Sequence, residues 1–160
     1  MLDKKKAAFA PSIAETLLPA QADDVLDLDE VWSFVYRRSN KRWFWTALCQ
    51  RTRQIVAAVV GDRSAETCQK LWSLIPQTYR QCHTFSDFWA AYEKIFDQET
   101  HRSVGKETGE TAHMERWKNT LRQRNARYVR ETLSFSKCDS WHQIVTEMFI
   151  VAYNLSCSKK

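Results

Sequence analysis

Three acidic residues occupy positions where a charge must be accounted for. Asp29 lies in a period-two stretch, in a file of Val25, Asp27, Asp29, Val31, Ser33 and Val35 whose valines imply burial. A carboxylate on such a face needs a partner: either a Lys or Arg at the strand edge, or a metal ion at the mouth of the sheet. Asp87 stands between a strand-like segment, Tyr79 to Phe85, and a helical one carrying Phe88, Ala91, Tyr92 and Ile95. It suits a helix N-cap, and it equally suits a strand end, where functional side chains collect in α/β layers. Glu115, near the start of a helix, would favour the helix dipole. Taken together, a central-strand Asp, a strand-end Asp and a helical Glu one step off the buried stripe form an arrangement that holds two magnesium ions about 3.5–4 Å apart. Next to Glu115, the stretch from Arg116 to Arg130 carries Arg116, Lys118, Arg122, Arg124, Arg127 and Arg130 with no acid among them. That run is either a phosphate-facing surface or a solvated helix face.

The elements that must position these residues can be read from hydrophobic period. Val25 to Tyr36 alternates as a strand, a polar turn at Arg38–Lys41 leads into Trp43–Leu48, and Ile55–Val60 is a β-branched run, so an antiparallel meander of three strands is predicted. Ser64 is placed to cap a short helix that runs until Pro76. Tyr79–Phe85 is predicted as a fourth strand delivering Asp87, followed by a helix to Ile95 and a polar loop from Val104 to Glu110. Residues Ala112 to Tyr128 give the strongest helix, with Met114, Trp117, Leu121 and Tyr128 near one apolar stripe. A last helix spans Trp141 to Tyr153, with Ile144, Val145, Met148 and Ile150 as its expected buried set. The expectation is one α/β domain over residues 25–156, a mixed sheet beginning with a three-stranded antiparallel meander and flanked by helices. Residues 1–24 read as a tail or linker.

Composition sets the outer bounds. The 160 residues are 44% hydrophobic and include seven Trp, enough for one substantial core. Trp32, Trp43, Trp45 and Trp89 are assigned to packing rather than to base stacking. A formal charge of +5 suits a polyanionic partner without demanding one. The five cysteines are scattered and never form a C-x-x-C pair, which favours reduced, small hydrophobic side chains over disulfides or a zinc ribbon. Lys4, Lys5 and Lys6 precede a mildly apolar stretch, but Pro11, Ser12, Glu15 and Thr16 interrupt it too early for a signal peptide, and no run is long enough to span a bilayer. The four His, at positions 83, 101, 113 and 142, are assigned ordinary surface or core roles, with His113 the one nearest the acidic residues in sequence.

Several strings in order carry a family resemblance: Leu28-Asp29-Glu30-Val31-Trp32-Ser33, then Ser86-Asp87 with Tyr92 five residues on, then His113-Met114-Glu115-Arg116-Trp117-Lys118-Asn119-Thr120-Leu121-Arg122-Gln123, and finally Leu133-Ser134-Phe135-Ser136-Lys137. From about Asp27 to Asn154 the chain resembles the transposases of the first-named bacterial insertion-sequence family, DDE recombinases on the ribonuclease H-like fold. The most specific part is the block Glu115–Arg122 followed by the Leu-Ser-Phe-Ser-Lys string. The resemblance implies that Asp29, Asp87 and Glu115 are the catalytic, metal-binding triad. It also implies that Asn119 and Arg122, four and seven residues past Glu115 and so on its helix face, position DNA. Two departures stand out: Phe88 replaces the Gly that commonly follows the second Asp, and the loop between Asp87 and Glu115 is longer than in the shortest members. The family's N-terminal zinc-binding and helix-turn-helix region has no counterpart before Asp29.

The implied activity is cleavage and strand transfer of DNA by a two-metal mechanism using Mg2+, with Mn2+ able to substitute, and no covalent protein nucleophile. Arg116, Lys118, Asn119, Arg122, Arg124 and Arg127 are the expected DNA-contacting residues. Expected partners are element ends and target DNA, further copies of the chain assembled on DNA, and a recognition domain encoded in an upstream frame, all in the bacterial cytoplasm near the nucleoid and without a membrane. The rival readings are a non-catalytic remnant that binds DNA or inhibits full-length transposase, and a ribonuclease H-like nuclease that hydrolyses without joining.

Overall fold

The computed structural model describes residues 11–87, 90–105, 109, 112–129 and 131–159. Alternation along the first part of the chain yields strands β1 (Val25–Phe34), β2 (Lys41–Cys49) and β3 (Ile55–Gly61), paired antiparallel in sequence as expected. The turns joining them bring Tyr36 and Arg53 to φ of 67° and 64°, a conformation non-glycine residues seldom adopt. At Gly61, where β3 ends, an added Cβ would stand 2.8 Å from the Thr67 hydroxyl, so the close approach of the next helix requires glycine.

That helix, α1 (Ala65–Leu74), starts where Ser64 accepts a hydrogen bond from the Thr67 amide and stops before Pro76. The chain then runs through a 3-10 turn at Gln77–Tyr79, so the fourth strand is shorter than predicted. β4 is His83–Ser86, because Tyr79 is drawn into the core, where its hydroxyl donates to the Leu18 carbonyl at 2.7 Å. After α2 (Ala90–Ile95) comes a fifth strand that period alone did not reveal, β5 (His101–Ser103), only three residues long. Helix α3 (Ala112–Arg124) ends four residues earlier than predicted. Asn125 breaks it by accepting from the Arg127 amide, and a 3-10 turn carries Ala126–Tyr128. Helix α4 (Asp139–Cys157) closes the chain. Phe88, Trp89 and Arg130 lie outside the described residues.

The sheet order is β3-β2-β1-β4-β5, with β4 parallel to β1 and β5 parallel to β4. β1 therefore lies at the centre and is covered on both faces. One face packs Leu26, Leu28, Trp45 and Ala47 against Cys68 and Leu71 of α1 and Ala91 and Tyr92 of α2. The other packs Val31, Phe44, Leu48 and Ile55 against Met114, Trp117 and Leu121 of α3 and Ile150 of α4. Three cysteines are buried, Cys138 is exposed, Cys157 is half-buried, and these five are free thiols. Trp45 is fully enclosed, whereas Lys41 and Arg63 lie over the half-buried rings of Trp32 and Trp43.

Residues 11–24 are held to this body by polar contacts. The buried Gln54 side chain donates to the Thr16 carbonyl at 2.8 Å and accepts from the Leu18 amide at 2.8 Å, and Asp24 pairs with Arg51 at 2.6 Å. The buried face of α4 is also more polar than predicted: it presents His142, Thr146, Ile150, Val151 and Asn154, while Met148 is exposed. The polar members are satisfied. Asn154 brackets Ile55, accepting from its amide at 2.8 Å and donating to its carbonyl at 2.9 Å. His142 lies between Ser33 (2.8 Å to Nε2) and Ser136 (2.7 Å to Nδ1), and Arg127 donates to the same Ser136 hydroxyl at 3.1 Å.

Burial, reinforced by the nearby Arg127 charge, pulls the His142 pKa down to about 4. The folded protein thus resists a proton that the unfolded chain takes up near its ordinary value of 6.5. Stability is therefore fully present above pH 6.5 and declines as pH falls toward 4, by up to about 3 kcal/mol. Denaturant unfolding at pH 7 and pH 4.5 should show this loss, and His142→Gln should flatten it; an unchanged slope in that variant would assign the acid sensitivity elsewhere.

Candidate active site

Parallel pairing sets the geometry of the two aspartates. The β1–β4 ladder ends with Asp27 opposite Phe85, and two residues further along the chain come Asp29, still in β1, and Asp87, just past the end of β4. Within β1 a step of two preserves the side, so Asp29 leaves the sheet on the face covered by α3, while Asp87 stands at the rim directly after β4. They are close enough that the Asp87 charge helps raise the Asp29 pKa.

From α3, Glu115 and Lys118 face the same region, being one helical turn apart. The Lys118 ammonium donates to Glu115 Oε1 at 3.3 Å and forms an ion pair with Asp29 Oδ2. Lys118 is buried, with only its aliphatic stem and charged tip inserted beside the strand. Burial raises the Asp29 pKa, opposed by the Lys118 charge and by the hydrogen bond that Asp29 Oδ1 accepts from the Glu30 amide at 2.7 Å. Burial also disfavours the Lys118 ammonium, but Asp29 and Glu115 outweigh it and raise its pKa. The strand-edge alternative for Asp29, a basic partner, is thus realised in this structure by a residue from the basic run.

The other residues of that run scatter. Asn119 and Arg122 flank Glu115 on α3, exposed and half-buried respectively, while Arg116 and Arg124 are exposed on the side of the helix away from Asp29. Arg127, half-buried, is engaged with Ser136. His113 is half-buried, away from the acidic centre on the same side as Arg116 and Arg124.

Glu30 was not singled out from the sequence, although the criterion that flagged Asp29 applies to it, since it interrupts the opposite file of Leu26, Leu28, Trp32 and Phe34. Its buried carboxylate accepts from Arg63 at 2.8 Å and from the hydroxyl of the fully buried Tyr92 at 2.8 Å. Burial raises the Glu30 pKa, and Asp29 and Asp87 both add to that rise. Asp87 at the strand end therefore acts electrostatically on both faces of β1.

All the donors around Lys118 are hard carboxylate oxygens, the chemistry that suits Mg2+ or Mn2+. Their spacing is that of a centre closed on an ammonium: among the described residues, no group of three or more His, Cys, Asp or Glu is arranged to hold a metal ion. The donor chemistry suits a divalent cation, and in this structure Lys118 stands among the donors. Removing that ammonium by Lys118→Met should leave Asp29 partly buried beside Asp87 without a counter-charge, at a cost of about 2–4 kcal/mol near neutral pH. Because the Asp29 pKa is raised, its proton is favoured in the folded state, so this loss should shrink as pH falls and Asp29 protonates. Denaturation of both proteins at pH 7.5 and pH 5 checks this; a loss independent of pH would point to lost stem packing instead.

Comparison with known proteins identifies the family of the chain. The family described as IS1 transposase matches residues 25–155. The chain is 34% identical over 128 residues to the insertion element iso-IS1n protein InsB of Shigella dysenteriae, covering 79% of this chain and 93% of that one. It is 34% identical over 119 residues to the insertion element IS1 protein InsB of Shigella flexneri, covering 74% and 88%. With the insertion element IS1 4 protein InsB of Escherichia coli (strain K12) it shares 33% over 119 residues, covering 74% and 69%. A strand bearing Asp29, a strand end bearing Asp87 and a helix bearing Glu115 all fall inside the matched span, and the chain belongs to the IS1 transposase family.

Proposed function

We propose that this chain is the catalytic domain of a DDE transposase on a ribonuclease H-like fold, cleaving DNA and joining its ends with Asp29, Asp87 and Glu115 as metal ligands. The observation that carries this reading is the meeting of Asp29 and Glu115 on one buried cation, with Asp87 just past the end of the neighbouring parallel strand. The sheet order, with β1 central between an antiparallel meander and two parallel strands, suits the same fold. The three carboxylates would hold two Mg2+, or Mn2+ in their place, which supply neutralisation of phosphate charge and an activated oxygen nucleophile.

The chain's own residues do the positioning. Asp29 is held within β1, and Asp87 directly follows the last residue of β4, so the sheet carries both to its rim. Glu115 approaches from α3 and carries the adjustable side of the site. Asn119 and Arg122, one and two turns along the same face, would hold the DNA backbone beside the acids, and Lys118, once released from Asp29, would join them at phosphate. Assembly of several copies on DNA, a recognition domain joined from an upstream frame and action at the nucleoid complete the proposal. Among the described residues no helix is long and apolar enough to cross a membrane.

A second reading, a binding remnant without catalysis, draws on the ion-paired state of the acids and on the lack of a preformed three-donor group among the described residues. Glu115→Gln separates the two, since the amide keeps the size of the side chain but is a poor ligand for a hard cation. Joined to a suitable recognition region, Glu115→Gln should retain the melting temperature and lose magnesium-dependent cleavage and joining. Trp117→Ala, which empties the core beneath Phe149 and Tyr153, should instead cost about 3–5 kcal/mol of stability. Wild-type joining by Glu115→Gln would remove Glu115 from the site and overturn the catalytic proposal.

A further inference from the structure

The basic run on α3 does not form one surface. Residues nine apart on a helix project in nearly opposite directions, so Arg124 faces away from Glu115, and Arg116 and His113 turn toward Arg124. On that far side lies a cavity of about 460 Å³ between α3, the C-terminal end of α4 and the β2–β3 turn. Its lining includes Arg53, Arg116, Arg124 and His113, with Trp117 and Tyr153, and among the described residues no Asp or Glu.

Three features distinguish this cavity from an ordinary solvated face. First, among the described residues Arg53, Arg116 and Arg124 form none of the ion pairs that engage Arg38, Arg42, Arg51 and Arg63. Arg51 also lines the cavity, but Asp24 holds it, so the unneutralised charge comes from the other three. Second, Arg53 and Arg124 line the cavity beside Tyr153: burial raises the Tyr153 pKa, and the charges of both arginines act against that rise. The Tyr153 hydroxyl in turn donates to the Arg53 carbonyl at 2.9 Å, fixing the turn to α4. Third, the Trp117 indole N–H is buried with no hydrogen-bond partner, leaving a donor unsatisfied in the cavity's wall residue.

We propose that this cavity is a second DNA-backbone site, in which Arg53, Arg116 and Arg124 take phosphodiester oxygens on the side of α3 opposite the acidic centre. It rests on the reading of the chain as a DNA-processing enzyme and adds to it where the backbone is gripped away from the reacting phosphate. Arginine suits the task because its planar fork engages phosphate with two donors. Sequence-independent gripping of this kind fixes the register of the duplex, and the carboxylates act on the strand so positioned.

The salt dependence of binding tests the proposal. Affinity of the full chain for a random-sequence duplex, measured by fluorescence anisotropy over a series of salt concentrations, should fall steeply with salt for wild type. The combined variant Arg53→Gln, Arg116→Gln, Arg124→Gln should bind about tenfold or more weakly, with the slope of log affinity against log salt reduced by about 2–3, near 0.9 for each phosphate left unneutralised. The three side chains are exposed, and an unchanged melting temperature shows that the fold is kept.

Cys157, which also lines the cavity, provides a second readout that needs no substitution. Cys157 and the exposed Cys138 stand at opposite ends of α4, roughly 28 Å apart at helical rise. Duplex DNA should slow alkylation of Cys157 by iodoacetamide while leaving Cys138 unchanged, as read by mass spectrometry. Equal slowing by inorganic phosphate at matched phosphate concentration would make the cavity a free-anion site and overturn the proposal. An unaltered salt slope in the folded triple variant, with Arg122→Gln lowering it, would overturn the second site while leaving the DNA reading intact. Absence of salt-sensitive DNA binding by wild type would overturn both.

Discussion

The fold is organised around the burial of negative charge on its central strand. β1 carries Asp27, Asp29 and Glu30 in succession, and none of them can be enclosed without a counterpart. Each draws that counterpart from a different part of the molecule: Gln50 just after β2 for Asp27, Lys118 of α3 for Asp29, and Arg63 before α1 together with Tyr92 of α2 for Glu30. The acids of β1 thus tie both helical layers to the sheet. Hydrophobic burial supplies most of the driving force, but it is nondirectional. The ionic contacts specify which helical turn meets which residue of the strand, since a shift by one residue would leave a carboxylate unpaired in each layer.

Helix α3 shows how one element can serve several neighbours. Met114, Trp117 and Leu121 bury one stripe, Glu115 and Lys118 turn toward the strand acids, and Arg116 and Arg124 lie beyond the stripe on the other side. A stretch that is uniformly basic in sequence is therefore divided by the 3.6-residue period into a cation that neutralises the core's edge and cations left open to a polyanion. The same helix that carries the Glu115 carboxylate also lines the cavity containing Arg53.

At the far end of the domain, polar side chains do the closing. Gln54 and Asn154, both fully buried, satisfy backbone groups of residues 16, 18 and 55 and so join the N-terminal segment, β3 and α4. His142 serves a similar end near Ser33 and Ser136, linking α4 to β1 and to the segment that follows α3. Each is costly unless fully bonded, which makes the seam specific to one packing of α4.

Much of this architecture is written in local pattern. Period-two alternation located the three antiparallel strands, Ser64 and Pro76 bounded α1, and the stripe through Met114, Trp117 and Leu121 oriented α3, because these features depend on near neighbours along the chain. The same patterns drew attention to Asp29, Asp87 and Glu115. What lay beyond them depends on residues distant in sequence. β5 is too short to show a period and exists because β4 offers it an edge. The buried face of α4 is polar because Ser33, Ser136 and Ile55 meet it, and no hydrophobic count along the helix could reveal those partners. Likewise, Lys118 reads as one more surface cation, and only packing of α3 over β1 brings it to Asp29, far earlier in the chain. Residue types and spacing determined which side chains could bear charge and on which face of their own element; the long-range packing of strands and helices decided which charges met.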